Sequence, residues 1–88
     1  PLHLASGMGE FNVCELLIEK GANFEAKDKD GLTPLHLASG MGQVNVCKFL
    51  IEKKADLEAR DNNGCTPLHL ASRKGHIDLC KLLIEKGA

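Results

Sequence analysis

One interval of 33 residues separates Pro1, Pro34 and Pro67, then His3, His36 and His69, then Cys14, Cys47 and Cys80. In this register residues 1–33 and 34–66 agree at about two thirds of their positions, and residues 67–88 continue the pattern to Gly87-Ala88. A period of this length predicts an array, in which each unit buries its apolar face on its neighbours. Composition points the same way. A chain of 88 residues closes only a modest single core, and this one has no Trp, no Tyr and three Phe among 43% hydrophobic residues. Its interior is therefore predicted to be aliphatic and built from small units.

Within a unit the local signals agree. Thr33 suits a helix N-cap, Pro34 the first helical position and His36 the third, where a side chain can reach back toward the cap. Gly42 suits the stop of this short helix. A second helix is predicted from Asn45 to Lys53, with Val46, Phe49 and Leu50 on one face, Cys47 and Ile51 widening it, and Asn45, Lys48 and Glu52 as its polar stripe. So apolar a helix must be covered on two sides, by its own partner helix and by the next unit. Asp28-Lys29-Asp30-Gly31 and Asp61-Asn62-Asn63-Gly64 place Asp first and Gly fourth, the preference of a type I turn at a loop tip.

These residues carry a resemblance. Asp28-x-x-Gly31-x-Thr33-Pro34-Leu35-His36-x-Ala38, continued by Gly42, Leu50-Ile51 and Ala55-Asp56 and repeated from Asp61 to Ala71, resembles the ankyrin repeat. The resemblance implies an all-α ankyrin-repeat solenoid of helix-turn-helix units joined by β-hairpin-like finger loops. The divisions would be residues 1–27, 28–60 and 61–88, the first and last incomplete. Neither end reads as a polar capping repeat, so the sequence is read as a window from a longer array. The resemblance further implies a non-enzymatic module that binds another protein on the concave face formed by the first helices and finger tips. Two departures stand out. Lys54 occupies the helix-terminal position held by Gly21 and Gly87, and Glu25 and Glu58 stand where the family commonly has Asn, the residue hydroxylated in some members.

Other chemistries find little support. Packed helices lie ~8–10 Å apart, too far for successive histidines to share zinc at ~2.0–2.1 Å, and no CxxC pair occurs. The same spacing exceeds the ~4.4–6.8 Å that a disulfide spans, so Cys14, Cys47 and Cys80 are read as small buried hydrophobes. Cys65 aligns with Leu32 on the finger and is expected to be exposed. Unpaired thiols fit an intracellular setting, cytoplasmic or nuclear. Asp28-x-Asp30-Gly31 mimics the start of a calcium loop, but Ser39 stands where the twelfth-position Glu is needed. His76 aligns with Glu10 and Gln43 and reads as a turn residue. No catalytic, cofactor or metal site is expected, and no small-molecule substrate.

Charge adds a direction. Eleven Lys and Arg against twelve Asp and Glu give −1 overall, with no global pull toward nucleic acid or an anionic surface. Residues 1–33 hold three basic and six acidic residues, residues 34–66 four of each, and residues 67–88 four and two. The array is polarised along its axis. The apolar runs are far too short for membrane insertion.

Positions that differ between copies are those the shared frame leaves free. Gly7-Met8 and Gly40-Met41 become Arg73-Lys74, and a site that accepts Met or Lys belongs to solvent. Two exposed methionines one repeat apart, flanked by Leu32 and Cys65, would form an apolar stripe suited to contact. The candidate surface is Met8, Lys29, Asp30, Leu32, Met41, Asn62, Asn63, Cys65, Arg73 and Lys74. The alternative is a spacer segment of a longer array whose binding residues lie elsewhere.

Overall fold

The computed structural model describes residues 2–88; Pro1, read above as a first helical residue, lies outside them. Three short inner helices alternate with three outer ones: α1 (Leu2–Met8), α2 (Phe11–Glu19), α3 (Pro34–Gly40), α4 (Val44–Glu52), α5 (Pro67–Arg73) and α6 (Ile77–Glu85). No strand occurs among the described residues. The outer helix of the middle repeat begins one residue earlier than predicted, at Val44, because Gln43 already serves as its N-cap.

The inner helices start as their sequence requires. Thr33 sits in extended backbone, its hydroxyl accepts the His36 N–H at 3.2 Å, and its own N–H is donated to His36 Nδ1 at 3.1 Å. Thr66 and His69 repeat the arrangement at 3.3 and 2.9 Å. This is a reciprocal capping box with His in the place usually taken by Glu or Gln.

The core is aliphatic, with Leu35, Ala38, Val46, Cys47, Leu50, Ala71, Leu79 and Leu83 at its centre. Phe11 and Phe49 meet edge to face on the outer helices, centroids 5.3 Å apart, so two of the three aromatic residues bridge neighbouring repeats. Neighbours do the covering that the two-sided pattern demanded. Val46 is 1% exposed, whereas Val13, its counterpart in the first repeat, is 45% exposed.

The fingers are joined by their backbones. Gly31 N–H returns to Asp28 O at 2.9 Å and Asp28 N–H to Leu32 O at 2.9 Å, a hairpin-like turn that Asp61, Gly64 and Cys65 repeat. Asp28 Oδ1 accepts the N–H groups of Asp30 and Leu32, which occupies the oxygen that resembled a calcium ligand. Asn62 donates its backbone N–H to Asp30 O and its amide to Lys29 O, both at 3.0 Å. Gly31, with φ near 80°, leaves room for this crossing: a Cβ there would lie 2.8 Å from the Asn62 nitrogen.

Lys54 adopts φ 73°, the only positive value among described residues other than glycine. A side chain in this left-handed region costs on the order of 1 kcal/mol, and Lys54 is exposed and gains no burial in return. Lys54→Gly is expected to raise the melting temperature by about 4–8 °C; thermal unfolding followed by circular dichroism checks this.

Candidate partner-binding surface

His36 joins the cap of its own helix to the finger of the next repeat, while His69 makes the cap contacts alone and His3 the finger contacts. His36 Nε2 lies 2.8 Å from Cys65 O, so it carries the proton and donates, which leaves Nδ1 free to accept from Thr33. His3 makes the corresponding contact to Leu32 O at 3.0 Å and a second to Ala26 O at 2.9 Å. His36 is fully buried and His69 exposed. A repeated histidine in this role is committed to the frame. His36→Ala should cost about 2–4 kcal/mol, through a cavity, a broken cap and an unsatisfied Cys65 carbonyl, and His69→Ala about 1 kcal/mol. Urea titration of both variants compares the two losses.

His76 also does more than turn the chain. Its Nε2 donates to Gly40 O at 3.1 Å, and the aligned Gln43 donates its amide to Gly7 O at 3.1 Å. These side chains bind the open carbonyls at the end of the preceding inner helix. Glu25 performs a similar service. Its carboxylate accepts the Asp56 N–H at 2.7 Å, which gives the departure from Asn a use between repeats.

With these groups engaged, the inner helices present another set to solvent. Met8 is 64% exposed and Met41 61%, and Leu4, one turn before Met8, is 67% exposed. Leu37 and Leu70, which align with Leu4, are half-buried. Leu37 and Leu70 lie over Gly7 and Gly40 of the preceding inner helix, whereas no described helix precedes α1, which leaves Leu4 open. Lys74 replaces Met at the same exposed site, with a C-cap backbone close to that of Met41.

Gly7 and Gly40 differ from their expected freedom. A Cβ at Gly7 would lie 3.7 Å from Leu37 Cβ, and one at Gly40 3.8 Å from Leu70 Cβ. The next inner helix packs over both glycines, and no described helix lies beyond Arg73 to constrain it. Cys65 is a correction. Its exposure is only 9%, because its carbonyl is drawn onto His36 and the Arg73 guanidinium covers its sulfur at 3.4 Å. Leu32 is half-buried, so the finger flanks add little apolar area to the methionines. Lys29, Asp30, Asn62 and Asn63 are exposed at the finger tips, with Asn62 bonded to the adjacent finger.

The remaining polar groups have structural uses. Ser6, Ser39 and Ser72 lie 3.6, 3.7 and 3.5 Å from the sulfurs of Cys14, Cys47 and Cys80, one inner-to-outer contact per repeat. Burial pushes the Cys47 thiol up to about 11, against a smaller opposing effect from Ser39. Asp61 is held below its ordinary value by the Cys65 N–H, with Asn63 N–H, His36 and Arg73 acting in the same direction. Among the described residues, no three His, Cys, Asp or Glu side chains gather as a metal site would need, and no helix is long and apolar enough to cross a membrane.

Repeated helix-turn-helix-finger units stacked side by side define a solenoid class of repeat protein. A family model described as ankyrin repeats, in three copies, matches residues 2–88, and the chain belongs to that family. Its members are generally modules for protein–protein interaction and typically not enzymes. No curated protein matches the chain.

The thiols report on this packing. At about pH 8, iodoacetamide should modify half-buried Cys80 first and reach Cys14 and Cys47 only on unfolding. Peptide mass spectrometry of the native and urea-treated chain gives the order.

Proposed function

We propose that this segment binds another protein through its inner-helix face, with Met8 and Met41 as the apolar contacts, Arg73 and Lys74 at one end, and Lys29, Asp30 and Asn63 at the finger rim. The observation that carries the reading is the exposure of Met8 and Met41, one repeat apart on the inner face. The frame itself does not demand them, since Lys74 fills the same backbone site as Met8 and Met41. Methionine presents a polarizable, unbranched side chain that adapts to a partner's surface. Asn62 and Cys65 support this surface from beneath, by joining the fingers and by filling the space under Arg73.

The reading is tested with Met8→Lys/Met41→Lys, which extends the third repeat's solution to the other two. Stability should change by less than about 0.5 kcal/mol, the usual range for exposed sites. Affinity for a partner of the full-length protein should fall at least tenfold by titration calorimetry, a loss of about 1.4 kcal/mol or more. Unchanged affinity would leave the segment as a spacer within its array.

A further inference from the structure

The inner-helix face is uneven along the array. Met8 projects from the end of α1 and Met41 from the C-cap of α3, whereas α5 ends in Arg73 with Lys74 as its C-cap. The cations are not needed to end α5. Cations near a helix C-terminus do oppose its dipole, yet α1 and α3, of the same length, end in Gly and Met without any basic residue in their last turn. Arg73 reaches Cys65 Sγ within the chain, whereas Lys74 is exposed at the C-cap and open to an outside partner. We propose that the partner is a linear protein segment whose apolar side chains lie on Met8 and Met41 and whose acidic side chains, further along, meet Lys74 and Arg73. The proposal rests on the inner-face reading given above and adds the partner's chemistry and its direction.

Charge supports that direction. Residues 1–33 carry three basic and six acidic residues, and residues 67–88 four and two. An acidic tail is therefore repelled from the first repeat, where Glu10 follows α1, and drawn to the third. Lys29 and Asp30 on the second finger oppose each other in sign. Arg73 is partly committed, since its guanidinium sits over Cys65 Sγ and faces Asp61. Lys74 is the freer cation and the main anchor for a carboxylate.

Distance sets the register. Neighbouring inner helices ~8–10 Å apart correspond to roughly six residues of a helical partner or three of an extended one. Acidic residues should then lie about one such step from the apolar residue seated on Met41, and two from the one on Met8, on the same side of both.

Peptide display provides the test. A random library of 20-residue peptides is selected at low salt on three immobilised proteins: the chain itself, Met8→Lys/Met41→Lys, and Arg73→Gly/Lys74→Met, which restores the first two repeats' sequence. Circular dichroism verifies that each is folded. The chain should enrich apolar residues with Asp or Glu at that spacing to one side of them. Replacing Arg73 and Lys74 should abolish the acidic preference and weaken the enriched peptides about tenfold, as two surface charge contacts would. Enrichment that depends on the methionines but shows no acidic preference overturns this proposal and leaves the inner-face reading standing. No enrichment, or enrichment indifferent to the methionines, overturns both.

Discussion

The imidazole of His36 is the joint on which the array depends. Its two nitrogens face opposite ways: Nδ1 accepts the Thr33 N–H and completes the cap of α3, while Nε2 donates to Cys65 O and holds the next finger. One side chain thus links helix initiation to repeat stacking. The neutral ring is the form that satisfies both partners, because one nitrogen must accept and the other donate. The packing follows from it. A finger fixed at Cys65 places Thr66 and Pro67 at the start of α5, and α5 then lies beside α3 with Leu70 against Gly40.

Smaller links follow the same logic across each junction. Gln43 and His76 satisfy carbonyls at the ends of α1 and α3, Glu25 accepts the Asp56 N–H, and Asn62 joins two finger tips. Each lies outside the repeat's invariant core, and each engages a backbone atom of the adjoining repeat. Backbone targets tolerate sequence change in the partner. That explains how Gln and His can serve at one position, and how Met and Lys can both occupy the solvent side of the inner helix without disturbing the stack. The frame is closed by backbone bonds and small aliphatic packing, and the inner face is free to differ.

Most of this frame was legible in the sequence. The 33-residue interval, Thr-Pro-x-His caps and Asp-x-x-Gly turns each have a local physical cause, so element order, turn type and the left-handed backbone at Lys54 could be read residue by residue. Exposure was less legible, because it depends on the next repeat. Cys65 aligned with a finger residue and was expected outside, but His36 and Arg73 cover it from two other elements. Gly7 and Gly40 looked free because Arg73 replaces them, yet the following inner helix packs on both. Of the candidate surface, the methionines were readable from a Met-to-Lys exchange at a fixed position. Leu4 is open only because no described helix precedes α1, and its counterparts Leu37 and Leu70 are half-buried.

The account assigns recognition to the inner helices and support to the outer ones. The outer side offers its own groove between α4 and α6, lined by Lys48, Ile51, Lys54, Leu57 and Leu82, so the two faces can be compared within one molecule. Methyl NMR of the chain labelled at Met, Leu and Ile, titrated with a bound partner segment, makes that comparison directly. Shifts and broadening are expected at Met8 and Met41, with Ile51, Leu57 and Leu82 unmoved. Perturbation confined to Ile51, Leu57 and Leu82 would place recognition on the outer face and contradict the inner-face assignment.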